Sequence, residues 1–461
     1  MMNHPALKYP TLEAAINGEG GSVGLLRKAP VGTFLFPVVA PYYSNWQDEQ
    51  RAWMNDVALL NLSHHMTSLY LKGPDVLKYL KTVGCNKFGT FPINRGKQII
   101  LANPDGHLIA DGIAFHTSDD LYRVIGGAQM INWMQYQAEI GDFDIELERD
   151  ENSAARKGDP RLYIYQIQGP RALDLMRDVC GDSFPDIKFF HIGEFEIAGR
   201  PARALRHGMA SLPGFEVFGP WSDHEFIMQT FEKAGEKYNM KKVGGVTYPS
   251  TCLESAWISR AVPAVYAGES MKAYREWIKP PQLETVGSLG GSFFSENITD
   301  YYLDPVEVGY GPFIDVDNPD FIGREAVLEK LANQKRKKVT LVYNQEDVSK
   351  VMAASVFSKD APARPIAFPI SSFTQWQYDS VMKDGKQVGV AVFSGGSANA
   401  REMLALAIVD LEHAEPGTEV EVLWGDPNSI RPADPKHVIH TIRARVENAP
   451  YIEKTNKTEN L

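Results

Sequence analysis

Hydrophobic and polar positions change their period several times along the chain. Ser68-Leu69-Tyr70-Leu71, Gln98-Ile99-Ile100-Leu101 and Asp120-Leu121-Tyr122-Arg123-Val124-Ile125 are short apolar-rich runs that predict strands. Asp75 to Val83 and Gln129 to Ile140 predict helices. Asn103-Pro104-Asp105-Gly106 predicts a tight turn into a strand from His107 to Phe115. Similar signals recur from Tyr163 to Tyr238, so an α+β fold with two such subdomains and a boundary near residue 150 is expected. Residues 1–50 read as a helical or irregular lead-in ending in an apolar strand, Phe34-Leu35-Phe36-Pro37-Val38-Val39. After Phe321 a helix runs to about Leu331. From Val339 the pattern is mainly β, with turn signals at Lys383-Asp384-Gly385, Ser394-Gly395-Gly396-Ser397 and Glu415-Pro416-Gly417. The expected division is residues 1–335, a barrel-like β domain at 336–447, and a loose polar tail at 448–461.

One strand pair carries more than packing information. Arg206-His207-Gly208-Met209 and Pro213-Gly214-Phe215-Glu216-Val217-Phe218-Gly219-Pro220 read as two strands joined by a turn. Phe215 and Val217 then face one way, and Glu216 and Phe218 the other. A carboxylate sharing a face with an aromatic ring suits a flat, donor-rich heterocycle such as an aminopterin, whose N–H pair the two oxygens accept. An edge-strand glutamate in water is the plainer alternative.

Composition narrows the classes. The 461 residues suit about three domains, and 44% hydrophobic with 23% charged residues describes an ordinary folded chain. No apolar run approaches the ~20 residues of a membrane span, and no secretory signal is visible at the N-terminus. A net charge of −11 without a basic stripe argues against nucleic acid as a partner. Lys335-Arg336-Lys337-Lys338 reads as a solvated strand entry. Three scattered cysteines suit a reducing cytoplasm and no disulfide framework. GxxxxGK[ST], HExxH and CxxC are missing, and Gly287-Ser288-Leu289-Gly290-Gly291 reads as a turn or lid. Ser63-His64-His65-Met66 places adjacent imidazoles on opposite sides of an extended segment, too few ligands for a metal. Asp111, inside Leu108-Ile109-Ala110-Asp111-Gly112-Ile113, is either a hydrogen-bonded structural acid or a functional one. Tyr248, in Val246-Thr247-Tyr248-Pro249-Ser250, is expected to be held extended by the following proline, as a packing residue or a functional one.

Several motifs carry a family resemblance. Val308-Gly309-Tyr310-Gly311-Pro312-Phe313 and Phe321-Ile322-Gly323-Arg324-Glu325 resemble the signature closing the folate-binding part of glycine-cleavage T-protein relatives. Ser63-His64-His65-Met66, the Gly106 to Asp111 strand, Gln166-Ile167-Gln168-Gly169-Pro170 and the Glu216 segment follow the same order over nearly the whole chain. Within that superfamily the chain most resembles tetrahydrofolate-dependent O-demethylases of methoxylated aromatic acids. Pro37-Val38-Val39-Ala40-Pro41, Ser44-Asn45-Trp46, Tyr248-Pro249-Ser250, Leu253-Glu254-Ser255, Lys272-Ala273-Tyr274-Arg275-Glu276-Trp277 and Ile298-Thr299-Asp300-Tyr301-Tyr302 carry this likeness. The resemblance implies a T-protein-like fold closed by a C-terminal β-barrel, with tetrahydrofolate as methyl acceptor and a small aromatic acid as donor. By the same resemblance Glu216 and Gln166 hold the pterin, Trp257 borders the folate with Asp111 beside it, Tyr248 is the catalytic acid/base, and His65 lies near the aromatic substrate.

The departures from that pattern are specific. Vanillate-type enzymes resemble this chain but place tyrosines at Phe34 and Phe36 and an arginine at Gly127. A wider, less polar pocket follows, which favours syringate and leaves the carboxylate partner unassigned. The T-protein itself has an Asp-Asp pair at Ala110-Asp111 and a Thr-Gly-Glu run at Ala210-Ser211-Leu212, so aminomethyl transfer is the weaker implication. Demethylation of vanillate or 3-O-methylgallate, and folate binding without catalysis, also fit the resemblance. Removing Glu216 is expected to weaken folate binding and barely move the ligand-free thermal midpoint.

Overall fold

The computed structural model describes residues 4–33, 36–209, 212–431 and 434–452; Phe34, Ala210, Ser211 and residues 453–461 of the polar tail lie outside them. Two large sheets, one two-stranded sheet and one barrel organise the described residues. The first sheet is antiparallel, in the order Arg95–Ala102, Leu108–Ser118, Leu121–Gly126, Thr67–Lys72, Glu146–Asp150. The second has the order Lys241–Val243, Ala58–Asn61, Leu162–Gln168, Gly214–Pro220, Arg200–Arg206, Ile192–Ile197, with one parallel pair between Lys241–Val243 and Ala58–Asn61.

Period-2 alternation decides what each face of these sheets meets. On the second sheet Tyr163, Tyr165, Ile167, Phe215 and Val217 pack against the helices Ala172–Cys180 and His224–Gly235. On the first, Leu69, Leu71, Ala114 and Val124 pack against the helices Val76–Val83 and Ala128–Ile140. The two remaining faces meet each other through Leu60, Ile164, Leu205 and Phe218 on one side and Phe115 and Ile125 on the other. The layers therefore run helix, sheet, sheet, helix. Polar side chains on the inner faces are enclosed between the sheets.

Arg336–Tyr343, Glu402–Asp410, Lys386–Ser397, Asp379–Lys383, Glu419–Trp424 and His440–Glu447 close into a barrel in that order. Its core includes Val339, Leu341, Val381, Ala405, Ala407 and Val422. The β-rich pattern after Val339 is thus realised, with one addition: a helix, Gln345–Phe357, that buries Val348 and Val351. Its start is fixed by Asn344, whose side chain accepts from Asp347 N at 3.1 Å.

Four local expectations need correction. Ser394 to Ser397 are not a turn but the end of the strand Lys386–Ser397. A side chain on Gly395 would meet the Pro369 carbonyl at 2.1 Å, so glycine here permits close approach of two backbones. Gly287 to Gly291 are not a lid: the segment is buried, and Leu289–Gly290 pairs in parallel with Trp376–Gln377. Phe36 to Val39 form no strand. Val39 N closes a tight turn onto Pro37 O at 2.8 Å, and Val38 takes a positive φ of 71° that no strand ladder accommodates. Residues 63–65 are a turn and not an extended run.

Candidate functional site

The inner face of the second sheet presents two acceptors side by side. Glu216 lies directly across the ladder from Gln166, so both side chains emerge on the same face. Gln166 is fully buried, and its Nε2 donates to the His207 carbonyl at 2.7 Å and to Gln168 Oε1 at 3.2 Å. These bonds turn its Oε1 away as a buried acceptor without a protein donor, an arrangement that a ligand N–H completes.

Glu216 is tied to the first sheet. Arg123 Nη2 stands 3.3 Å from Glu216 Oε1, with the two side chains 1% and 7% exposed. The guanidinium lies over the rings of Phe115 at 4.2 Å and Phe218 at 5.0 Å. Burial pushes the Glu216 carboxyl above its ordinary range, and Arg123 opposes that shift. Arg123 went unassigned at the sequence level. An arginine inside the strand Leu121–Gly126 is as conspicuous as the acid at Asp111, but its partner lies 93 positions away. Its presence also reverses an expectation, because removing Glu216 strands a buried cation and cannot be neutral for the ligand-free protein.

Tyr248, His65 and Phe36 form a triangle of rings. The centroids are 5.1 Å apart for His65 and Tyr248, 5.0 Å for Phe36 and Tyr248, and 4.9 Å for Phe36 and His65. Tyr248 is not extended; it opens the 3₁₀ helix Tyr248–Ser250. Proline is tolerated in that first turn because its missing N–H has no partner to lose there. The His65 Nδ1 lies 3.2 Å from the Leu62 carbonyl and its Nε2 3.3 Å from the Tyr248 hydroxyl. With Nδ1–H given to the carbonyl, Nε2 carries the lone pair and the tyrosine O–H donates to it. Burial pulls His65 down to about 4, so it stays neutral at pH 7. Burial, with a contribution from the Glu216 charge, holds the Tyr248 phenol far above its usual range. Tyr248 is therefore a protonated hydrogen-bond donor near neutral pH.

Gly127 caps the helix Ala128–Ile140. The pairing of Gly126 with Thr67 brings it alongside Met66, the neighbour of His65. A Cβ there would first meet the Gln129 amide, at 2.6 Å. His64 turns the other way, its Nδ1 2.8 Å from Ser153 Oγ, so the two imidazoles do serve different surroundings.

Asp111 and Trp257 form a second polar group. Asp111 Oδ2 accepts from Gln98 Nε2 at 2.9 Å, from the Tyr310 hydroxyl at 2.9 Å and from Trp257 Nε1 at 3.0 Å. The acid is hydrogen-bonded, and it orients the indole. Lys338, from the barrel, donates to the Ala256 carbonyl at 2.7 Å and is pulled down to about 8 by burial, against the opposing charge of Asp111. Cys252 lies four residues after Tyr248. Burial raises it to about 11, against a hydrogen bond with Ser259, whose Oγ is 3.3 Å from the Cys252 Sγ. The run Lys335 to Lys338 is not simply a solvated strand entry, because Lys338 is hydrogen-bonded to Ala256 and Arg336 is paired with Glu307 at 2.8 Å. Gln98, Tyr310 and Lys338 gain their meaning here only through partners far away in the chain.

Among the described residues, no group of three His, Cys, Asp or Glu side chains could hold a metal ion, and no helix is long and apolar enough to cross a membrane.

Comparison with known proteins sets this geometry in context. The model of the GCVT N-terminal domain matches residues 28–261. Syringate O-demethylase of Sphingobium sp. (strain NBRC 103272 / SYK-6) is 39% identical over 445 residues, covering 96% of each chain. Sesamin methylene transferase of Sinomonas sp. (strain No.22) is 27% identical over 425 residues, covering 86% of each. The crystal structure of glycine cleavage system aminomethyltransferase T from Bartonella henselae superposes with a TM-score of 0.61 over 93% of this chain and 96% of that one. At 16% identity this last likeness concerns the fold.

Proposed function

Because this chain belongs to the GCVT family, we propose that it is a tetrahydrofolate-dependent O-demethylase of a methoxylated aromatic acid, with syringate as the favoured substrate. It acts in the cytoplasm on ligands from the breakdown of lignin-type aromatics. The observation that carries this reading is the pair of opposed acceptors, Glu216 and Gln166 Oε1, enclosed between two sheets beside a neutral tyrosine. The 2-amino and N3–H edge of a pterin supplies the donors that this pair lacks. The likeness to syringate O-demethylase supports the choice of methyl donor.

Bound tetrahydrofolate supplies N5, a neutral amine that takes the methyl. An aryl methyl ether reacts slowly because phenolate leaves poorly, so the protein must align the ether and assist the departing oxygen. Alignment between the pterin face and the Phe36–His65–Tyr248 rings contributes up to about 7–11 kcal/mol in well-ordered cases. The protonated Tyr248 hydroxyl donates a hydrogen bond to the departing phenolate oxygen and shares its proton in the transition state, worth about 10²–10⁴-fold. His65 Nε2 holds the hydroxyl in place beforehand. The proton released at N5 on methylation balances the one the phenol gains, so Tyr248 ends the cycle protonated. No metal or redox group enters this scheme.

Anaerobic incubation with tetrahydrofolate and syringate tests the reading by product analysis. Expected are 3-O-methylgallate and 5-methyltetrahydrofolate in equal amounts. A 5,10-methylene product, or folate binding without turnover of any methoxybenzoate, contradicts it.

A further inference from the structure

Enclosing a guanidinium without a counter-charge is costly, and several enclosed arginines here avoid that cost. Arg123, Arg275, Arg336 and Arg364 each have a carboxylate oxygen within 3.3 Å. Arg260 has no such partner among the described residues. Its Nη1 donates to the Thr33 hydroxyl, and the guanidinium lies 5.7 Å over the Phe393 ring. Desolvation lowers its pKa, and the opposing influence comes from a thiol, Cys252. A half-buried cation held by one neutral hydroxyl and one ring face has donors to spare.

Its position matters as much as its charge. Arg260 follows Trp257 by three residues and neighbours Ser259, whose Oγ is 3.3 Å from Cys252 Sγ. Cys252 in turn follows Tyr248 by four residues. Thr33 precedes Phe36 by three residues, and Phe393 comes from the barrel strand Lys386–Ser397. Arg260 therefore sits where three parts that border the site converge: Thr33, the 248–260 stretch and the barrel. The position where a related pattern has an arginine is Gly127 here, so no cation stands there.

We propose that Arg260 is the carboxylate anchor of this site, holding by a forked, charge-assisted hydrogen bond either the benzoate of the aromatic acid or the glutamate of the folate. This rests on the functional reading above, since both of its ligands are carboxylates. The planar five-donor guanidinium matches that group in a way an ammonium does not.

The test pairs each ligand with its carboxylate-free counterpart: syringate with 2,6-dimethoxyphenol, and tetrahydrofolate with 6-methyltetrahydropterin. Binding is measured by calorimetry for the wild type, Arg260→Met and Arg260→Lys. Arg260→Met should weaken one carboxylate ligand by about 10- to 100-fold, the scale of a lost charged hydrogen bond. Its counterpart should stay within about twofold, and Arg260→Lys should recover part of the loss. A loss confined to syringate identifies the benzoate; one confined to tetrahydrofolate identifies the glutamate. All four affinities unchanged, or equal losses for a ligand and its counterpart, overturn the proposal. Retained binding of the counterparts also shows that the variant is folded. A wild-type protein that binds neither tetrahydrofolate nor syringate overturns the functional reading itself, and this inference with it.

Discussion

Neutralising Glu216 should cost stability as well as folate affinity, and the structure sets the scale. The partners are 3.3 Å apart and almost fully enclosed. Removing one member of such a pair typically costs about 3–5 kcal/mol, because the other charge stays buried and uncompensated. The Phe115 and Phe218 rings offset part of this, about 0.5–2 kcal/mol for a desolvated cation over an aromatic face. Glu216→Gln should therefore destabilise the ligand-free protein by roughly 1–4.5 kcal/mol. Arg123→Met should cost less at low pH than at high pH. With the cation gone, Glu216 can take up a proton, a tendency its raised carboxyl already shows. Combining the two substitutions removes both charges, so the double variant should be more stable than the sum of the single losses implies, by at least about 1.5 kcal/mol. Chemical denaturation of the four proteins at pH 7 and pH 5.5 measures these terms. Strictly additive losses, or a Glu216→Gln variant as stable as the wild type, would refute the idea that the two charges hold each other in place.

Tyr248→Phe keeps the ring contacts with His65 and Phe36 but deletes the proton donor; kcat should fall by about 10²-fold or more with both ligands still bound, as seen in single-turnover and binding assays. Gly127→Arg requires the Gln129 amide to move aside. It should lower kcat/KM for syringate relative to vanillate by about 10–200-fold, the range a filled apolar space commands; an unchanged ratio in competition assays argues against a pocket beside position 127. His107 is pulled from 6.5 down to about 4, mainly by burial with Lys330 adding to the shift. Between those values the unfolded chain binds more protons there, so the stability contributed is complete above about pH 6.5 and is lost as pH falls toward 4. His107→Gln should accordingly flatten the acid limb of the stability–pH curve by up to one proton, and an identical slope would contradict the assignment.

The alternation of Phe215 and Val217 against Glu216 and Phe218 was legible because one face of that strand is buried, and a period of two leaves no other register. The ring triangle could be named from resemblance but not arranged: Phe36 was expected in a strand and Tyr248 in an extended run. A positive φ at Val38 and a first-turn proline at Pro249 decide those conformations. Their chain neighbours do not announce either one. Gly395 and Gly396 read as a turn because glycine signals both a bend and a close approach, and only the Pro369 backbone beside Gly395 distinguishes the two. Arg123 and Arg260 show the deeper limit. The importance of the first lies in a carboxylate 93 positions away, and that of the second in the absence of any acid nearby among the described residues. Neither is a local property of sequence.

Transfer of a labelled methyl group tests the central claim most directly. Syringate carrying ¹³C in its methoxyl groups is incubated anaerobically with the protein and tetrahydrofolate, and the label is followed by NMR. The expected result is a 5-[¹³C]methyltetrahydrofolate signal growing in step with 3-O-methylgallate, abolished by Glu216→Gln at folate concentrations that saturate the wild type. Label appearing in methanol or formaldehyde, or not leaving the ether at all, would contradict methyl transfer to the folate.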